Sequence, residues 1–179
     1  MKQQWQLWTS ALTKDKCNAI KELCETYPAV DGAIFANNTE DTSVRRSKVR
    51  WIYDSSISDL LHGYAIHANR NAFGVDIDRP YEVQYTEYYS ENKGFYDWHH
   101  DVDWENQRPF DRKLTVIVQL DDPSEYEGGE FNFKTTSNPD FRPQGSVLVF
   151  PSYLEHRVTP VTSGSRHSLV TWIEGPRWK

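Results

Sequence analysis

The chain has 179 residues, the size of one ordinary core, and its seven Trp, ten Tyr and eight Phe make 14% aromatic against a hydrophobic total of 37%. That aromatic load is foreign to disordered segments, and no stretch approaches the roughly 20 consecutive apolar residues of a membrane-spanning helix. Twenty Lys and Arg against 26 Asp and Glu leave a net charge of -6, the wrong sign for a protein that holds nucleic acid by neutralising phosphates. Membrane and nucleic acid are therefore not the expected partners.

In chain order, the first residues lack the apolar run of a signal peptide, so a cytoplasmic protein is expected. Thr13 is placed to cap a helix running to about Tyr27, with Asp15 in its first turn and Pro28 as its stop. Cys17, Ile20, Cys24 and Tyr27 form its apolar stripe. The two cysteines stand about two turns apart, too far for a disulfide, and read as small buried hydrophobes in a reducing compartment. Val49, Trp51 and Tyr53 then alternate with Lys48, Arg50 and Ile52, as in a strand. The cationic run Arg45, Arg46, Lys48 and Arg50 fits either a solvated edge or a pocket mouth. A second helix is expected from about Ser58 to Asn71, where Leu60, Leu61, Tyr64, Ala65 and Ala68 recur at helical spacing.

From Tyr81 onward the texture becomes short β-rich runs: Tyr81 to Tyr89, Phe95 to His99, Leu114 to Leu120, Gly129 to Phe133, Ser146 to Phe150 and Ser168 to Ile173. Turn signals separate them, among them Glu127-Gly128-Gly129 and Ser163-Gly164-Ser165. No linker or repeat divides the chain. The expected fold is mainly β with flanking helices: a jelly-roll (double-stranded β-helix) core over about 81–175, with the helices of about 1–80 packed on one sheet, in a single domain of 1–179.

The stretch richest in chemistry is Tyr96-Asp97-Trp98-His99-His100-Asp101. On a strand, residues two apart share a face, so His99 and Asp101 can reach one metal ion. His100 competes with His99, but Val102 stands two residues beyond it and its side chain points to the opposite face. His156, after the apolar run Val147 to Pro151, is the candidate third ligand. Two histidines and one carboxylate form a facial triad with open positions, the donor set of non-haem Fe(II) oxygenases. A His beside an Asp on a strand is also a common surface pair, so the triad needs support from elsewhere. Arg166 and Ser168 supply it: two apart on a strand, they can grip one carboxylate together.

With these residues in view, the chain resembles the 2-oxoglutarate and Fe(II)-dependent dioxygenases, specifically the prolyl 4-hydroxylase-like branch and the bacterial and phage hydroxylases near it, over roughly Arg45 to Trp172. The family's metal ligands fall on His99, Asp101 and His156, which are also its catalytic centre. Its basic residue for the distal carboxylate of 2-oxoglutarate falls on Arg166, with Ser168 two on. The family tyrosine on the strand before the H-x-D falls on Tyr88, supported by Gln84 four residues earlier, with Tyr85 and Tyr89 as competitors. The R-x-x-T strand appears as Arg112 to Thr115, the G-G turn as Gly128-Gly129 and the last-strand tryptophan as Trp172. Thr115 and Trp172 therefore join the cosubstrate candidates.

The resemblance implies Fe(II), 2-oxoglutarate as cosubstrate, O2, and ascorbate as an optional reductant. It implies hydroxylation of an unactivated C–H bond with conversion of 2-oxoglutarate to succinate and CO2. The first substrate expected is a prolyl or other amino-acid side chain in a peptide or protein, ahead of a free small molecule or a nucleobase. Trp98, Tyr96, Glu130 and Arg50 are the candidates for the substrate side, and Trp98 fits a core position equally well. Two other classes stay open: a non-catalytic β-barrel binding module, and a cupin-like Zn2+ hydrolase, which gives Arg166 and Ser168 no task. The sequence does not fix the oligomeric state.

Overall fold

The computed structural model describes residues 3–33, 41–78 and 80–179. Its elements in chain order are β1 (Gln6–Trp8), α1 (Lys14–Glu25), β2 (Val30–Asp31), β3 (Arg45–Arg46), β4 (Lys48–Ile52), α2 (Ser55–Ala68) and β5 (Pro80–Tyr89). They continue with β6 (Phe95–His99), β7 (Phe110–Gln119), β8 (Tyr126–Gly128), β9 (Phe131–Phe133), β10 (Val147–Pro151), β11 (His156–Val158) and β12 (Val161–Pro176). Among the described residues the strands form two sheets. The larger follows the order β1-β10-β7-β12-β5-β4-β2, with β8 joined to β12, and the smaller follows β3-β6-β11-β9. Every pairing is antiparallel. Two antiparallel sheets with helices on one outer face are the mainly β, jelly-roll arrangement expected.

Strand alternation explains how one sheet serves two cores. Val83 and Tyr85 of β5, Leu114, Val116 and Val118 of β7, and Leu169 and Ile173 of β12 pack against the helices, joined by Cys17, Ile20 and Cys24 of α1 and Ile57, Leu61 and Ala65 of α2. The intervening residues face the smaller sheet, where Tyr88, Ile117, Leu148 and Phe150 meet Tyr96, Phe131, Phe133 and Val158. The central strands are thus apolar on both faces, as strands covered on both sides are. Among the described residues no helix is long and apolar enough to cross a membrane.

α1 is capped by Thr13, whose side chain accepts from Lys16 N at 3.2 Å. Burial pushes the Cys24 thiol up to about 12, keeping it protonated and inert beside the free Cys17. α2 starts three residues before the expected Ser58, because Asp54 caps it by accepting from Ile57 N at 3.0 Å. Beyond Ala68 it widens into a π turn over Asn69–Phe73 that Gly74 ends at φ 60°. β4 holds the expected strand, but Ile52 belongs to the helical core and Tyr53, 82% exposed, lies beyond it.

The largest departure is β12. Ser163-Gly164-Ser165 reads as a turn, yet the strand runs through it from Val161 to Pro176. Gly164, at φ +67°, lets it change neighbours: Val161 to Gly164 pair with β8, and from Ser165 the strand pairs with β5. A Cβ there would lie 2.2 Å from Glu125 O, so glycine is required by both dihedral and space.

Candidate active site

β6 and β11 are antiparallel neighbours with His99 opposite His156, and their rings lie 4.3 Å apart. Asp101 follows β6 and is drawn in by its own backbone, whose N–H donates to Ser152 O at 2.8 Å. Thr115 Oγ1 donates to Asp101 Oδ2 at 2.7 Å and touches Ser152 Oγ at 2.9 Å. Asp101 Oδ1 lies 3.7 Å from His99 Nε2 and Oδ2 lies 3.6 Å from His156 Nε2. The three ligand atoms all fall within 4.8 Å of one another.

Both imidazoles are held in the tautomer a metal needs. His99 Nδ1 meets Asp97 O at 2.7 Å and His156 Nδ1 meets Leu154 O at 2.8 Å. A carbonyl only accepts, so each Nδ1 carries the hydrogen and each Nε2 turns its lone pair to the shared point. Burial, reinforced by His156, pushes His99 down to about 3, so its imidazole is neutral at ordinary pH. Burial pushes Asp101 up, but His156, His99, Arg112 and the Thr115 hydroxyl outweigh it and hold the carboxyl below its usual range. Tyr96 stacks on His99 with centroids 3.5 Å apart, and Phe150 packs edge-on against His156 at 4.9 Å. Two imidazole nitrogens and one carboxylate oxygen on one side of a point, with aromatic walls around them, fit a divalent first-row metal that keeps open positions.

His99, Asp101, His156 and Tyr96 line a cavity of about 660 Å³ between the sheets. Arg166, 2% exposed, lies in its wall, and Ser168 follows on the same face of β12. Among the described residues no carboxylate ion-pairs with Arg166. Alternation along β5 sends the three tyrosines to different faces. Tyr88 faces the cavity with its ring 5.8 Å from the Arg166 guanidinium. Tyr85 sits in the helical core, and Tyr89 donates to Glu87 Oε1 at 2.7 Å. Trp172 lines the cavity under the Arg112 guanidinium, 3.7 Å from its ring.

Three of the four substrate-side candidates lie elsewhere. Arg50 points to the helical side of β4, where it pairs with Glu87 at 2.9 Å and donates to Glu25 O and Tyr27 O behind α1. Trp98 lies under the Arg157 guanidinium at 4.5 Å, away from the cavity wall. Glu130 is exposed, 3.8 Å from Arg142, beside a second cavity of about 270 Å³. Tyr96 does line the main cavity. Of the cationic run, Arg45 lines the main cavity and stacks on Tyr96 at 4.6 Å, whereas Arg46 stacks on Phe95 at 4.6 Å and Lys48 pairs with Asp31 at 2.7 Å. His100 is exposed beside Trp104. Ser152, Glu82 and Glu174 were not singled out from sequence. Ser152 sits in a loop that carries no motif, and the two glutamates reach the cavity only through strand register.

Two histidines and a carboxylate enclosed in a double sheet are the donor set associated with non-haem Fe(II) oxygenases. Residues 83–174, just over half of the chain, match the family model of the 2OG-Fe(II) oxygenase superfamily, and the chain belongs to that superfamily. A PKHD-type hydroxylase of Aliarcobacter butzleri is 34% identical over 180 residues, covering 91% of this chain and 75% of that protein. Another, of Hyphomonas neptunium, is 41% identical over 63 residues, 34% of this chain and only 28% of that protein's length. A viral collagen prolyl hydroxylase of Paramecium bursaria Chlorella virus-1, solved as a 2OG complex, superposes with a TM-score of 0.73 at 19% identity over 97% of each chain.

Proposed function

We propose that the protein binds Fe(II) through His99, Asp101 and His156, and 2-oxoglutarate with its far carboxylate on Arg166, Ser168 and Tyr88. It then hydroxylates an unactivated C–H bond of a prolyl or other amino-acid side chain in a peptide or protein. One oxygen atom of O2 enters the product hydroxyl and the other enters succinate, as 2-oxoglutarate loses CO2. The single observation that carries this reading is Arg166, a cation 2% exposed in the wall of the triad's cavity. A buried charge is costly unless paired, and a dianionic cosubstrate supplies the missing partner. A zinc hydrolase built on the same three ligands leaves that cation unused.

The iron supplies the positions at which the keto acid and O2 are activated. The chain's own residues do the rest. The two backbone carbonyls fix the Nε2 ligands, and Thr115 occupies a lone pair of Asp101 Oδ2 and fixes the carboxylate's rotation. Tyr96, Phe131 and Phe150 exclude water around the histidines. A peptidyl substrate is supported by the collagen prolyl hydroxylase among the fold relatives, and a reducing cytoplasmic setting by the unbridged Cys17 and Cys24. The test is succinate release by Fe(II)-loaded enzyme, with ascorbate present, across peptides, free amino acids and oligonucleotides. Release stimulated by peptides supports the reading; stimulation by oligonucleotides alone contradicts it.

A further inference from the structure

The cavity extends well past the triad. Arg166, Ser168, Val170, Trp172 and Glu174 all line it, and eight residues of strand separate the first from the last, about 26 Å at ~3.3 Å per residue. Trp172 is in register with Thr115, the residue bonded to Asp101, and Glu174 with Arg112 beyond it. The triad therefore sits between an end built around Arg166 and an end built around Glu174.

That second end has its own chemistry. Glu82 and Glu174 are partly buried in its wall, with Trp51 and Trp172 6.5 Å apart beside them. Neither carboxylate has an ion-pair or hydrogen-bond partner among the described residues. Of the two guanidiniums nearby, Arg112 lies against the Trp172 ring and Arg108 is exposed over Phe110 at 5.8 Å. Burial pushes Glu174 up, and Arg112 and Arg108 only partly oppose it. Independently, Trp172 is 8% exposed and its Nε1 has no hydrogen-bond partner among the described residues. An indole N–H donates only, so beside the Arg108 and Arg112 guanidiniums this wall offers two carboxylates and one buried donor. A carbonyl with a cation a few ångströms away complements both.

Resting on the hydroxylase reading above, we propose that this is the substrate end, and that it selects an amino-acid unit carrying or adjoining an ammonium or guanidinium, with its carbonyl on the Trp172 indole N–H. A lysyl neighbour in a peptide and the α-ammonium of a free amino acid present the same chemistry. Glu82 and Glu174 neutralise it at the mouth, and the residue to be hydroxylated is carried inward past Trp51 toward the triad.

The test is calorimetric titration of anaerobic enzyme loaded with Fe(II) and 2-oxoglutarate. The ligands are acetylated, amidated tripeptides with proline beside lysine, alanine or glutamate, and free L-lysine and L-proline. The lysyl peptide should bind about tenfold tighter than the alanyl one, the lower range of a charge-assisted contact, with the glutamyl peptide weakest. If the free amino acids bind tighter still, the α-ammonium is the cation recognised. The Glu82→Gln/Glu174→Gln variant should lose the preference while keeping the wild-type affinity for 2-oxoglutarate, which also shows it to be folded. Equal affinity for the three peptides, a preference kept by the variant, or no binding by any ligand overturns the proposal. Failure of 2-oxoglutarate to bind the Fe(II) protein beforehand overturns the hydroxylase reading instead.

Discussion

Arg166 owes its position to a glycine. A Cβ on Gly129, at φ +60°, would lie 2.9 Å from Arg166 Cδ and 3.0 Å from Val161 Cγ2, so only glycine leaves the arginine stem its path. Gly129→Ala should raise the KM for 2-oxoglutarate severalfold with a smaller change in kcat, because it displaces the guanidinium and leaves the metal ligands alone. Equal loss in both parameters would point to general misfolding. Arg166→Ala removes the contact itself, worth about 1.5–3 kcal/mol, and should weaken 2-oxoglutarate roughly ten- to a hundredfold at unchanged metal affinity in equilibrium dialysis. At this scale the sequence was legible where spacing alone sets geometry. Arg166 and Ser168 on β12 are such a pair, whereas His99 and Asp101 come together because the chain bends after β6 and the Asp101 N–H bonds to Ser152 O. It was ambiguous among Tyr85, Tyr88 and Tyr89 until strand pairing fixed which face looks inward. It misdirected Arg50, Trp98 and Glu130, since charge and aromaticity near a motif say nothing about the direction of a side chain.

Elements hold the site through their backs. Asp121, at the end of β7, accepts from Lys21 of α1 at 2.8 Å and from the backbone N–H of His167, and lies 3.0 Å from His167 Nδ1. It thereby ties α1 to the strand that carries Arg166 and Ser168. Burial opposes ionisation of Asp121, but His167 and Lys21 outweigh it and lower its pKa. A carboxyl with a lowered folded pKa contributes stability that is complete above its unfolded value, about 3.9, and is lost as pH falls through the folded one. Asp121→Asn should cost about 1–3 kcal/mol in urea unfolding at neutral pH and flatten the acid limb of the stability curve. An unchanged acid limb would show that the tether is not what acid disrupts. Helix α1 was legible because Thr13, the apolar stripe and Pro28 agree. Strands β1, β8 and β11 were not, because three-residue segments have no measurable period and are set by their partners. The turn expected at Gly164 failed because glycine marks a left-handed residue, which a strand switching neighbours needs as much as a turn does.

For the whole molecule, the net charge of -6 sets a condition on the proposed chemistry: a dianion would have to be drawn into an acidic protein. On the proposed reading, Arg166 and a divalent metal would supply that attraction, inside a cavity whose other end carries Glu82 and Glu174 beside Arg108 and Arg112. Metal binding joins residues from β6, β11 and the loop after β6, and so should stabilise the fold by about 2.7 kcal/mol at a hundredfold excess over its Kd. Anaerobic thermal unfolding should show this upward shift with Fe(II) for the natural protein and none for His99→Ala. A shift of equal size in the variant would place the metal elsewhere. The central claim is that one cavity holds Fe(II) and 2-oxoglutarate together, and anaerobic spectroscopic titration of the Fe(II) protein with 2-oxoglutarate tests it most directly. A saturable visible charge-transfer absorption in the natural protein, needing roughly ten- to a hundredfold more cosubstrate in Arg166→Ala, is the result predicted; no absorption in the natural protein, or identical titrations for both, would contradict it.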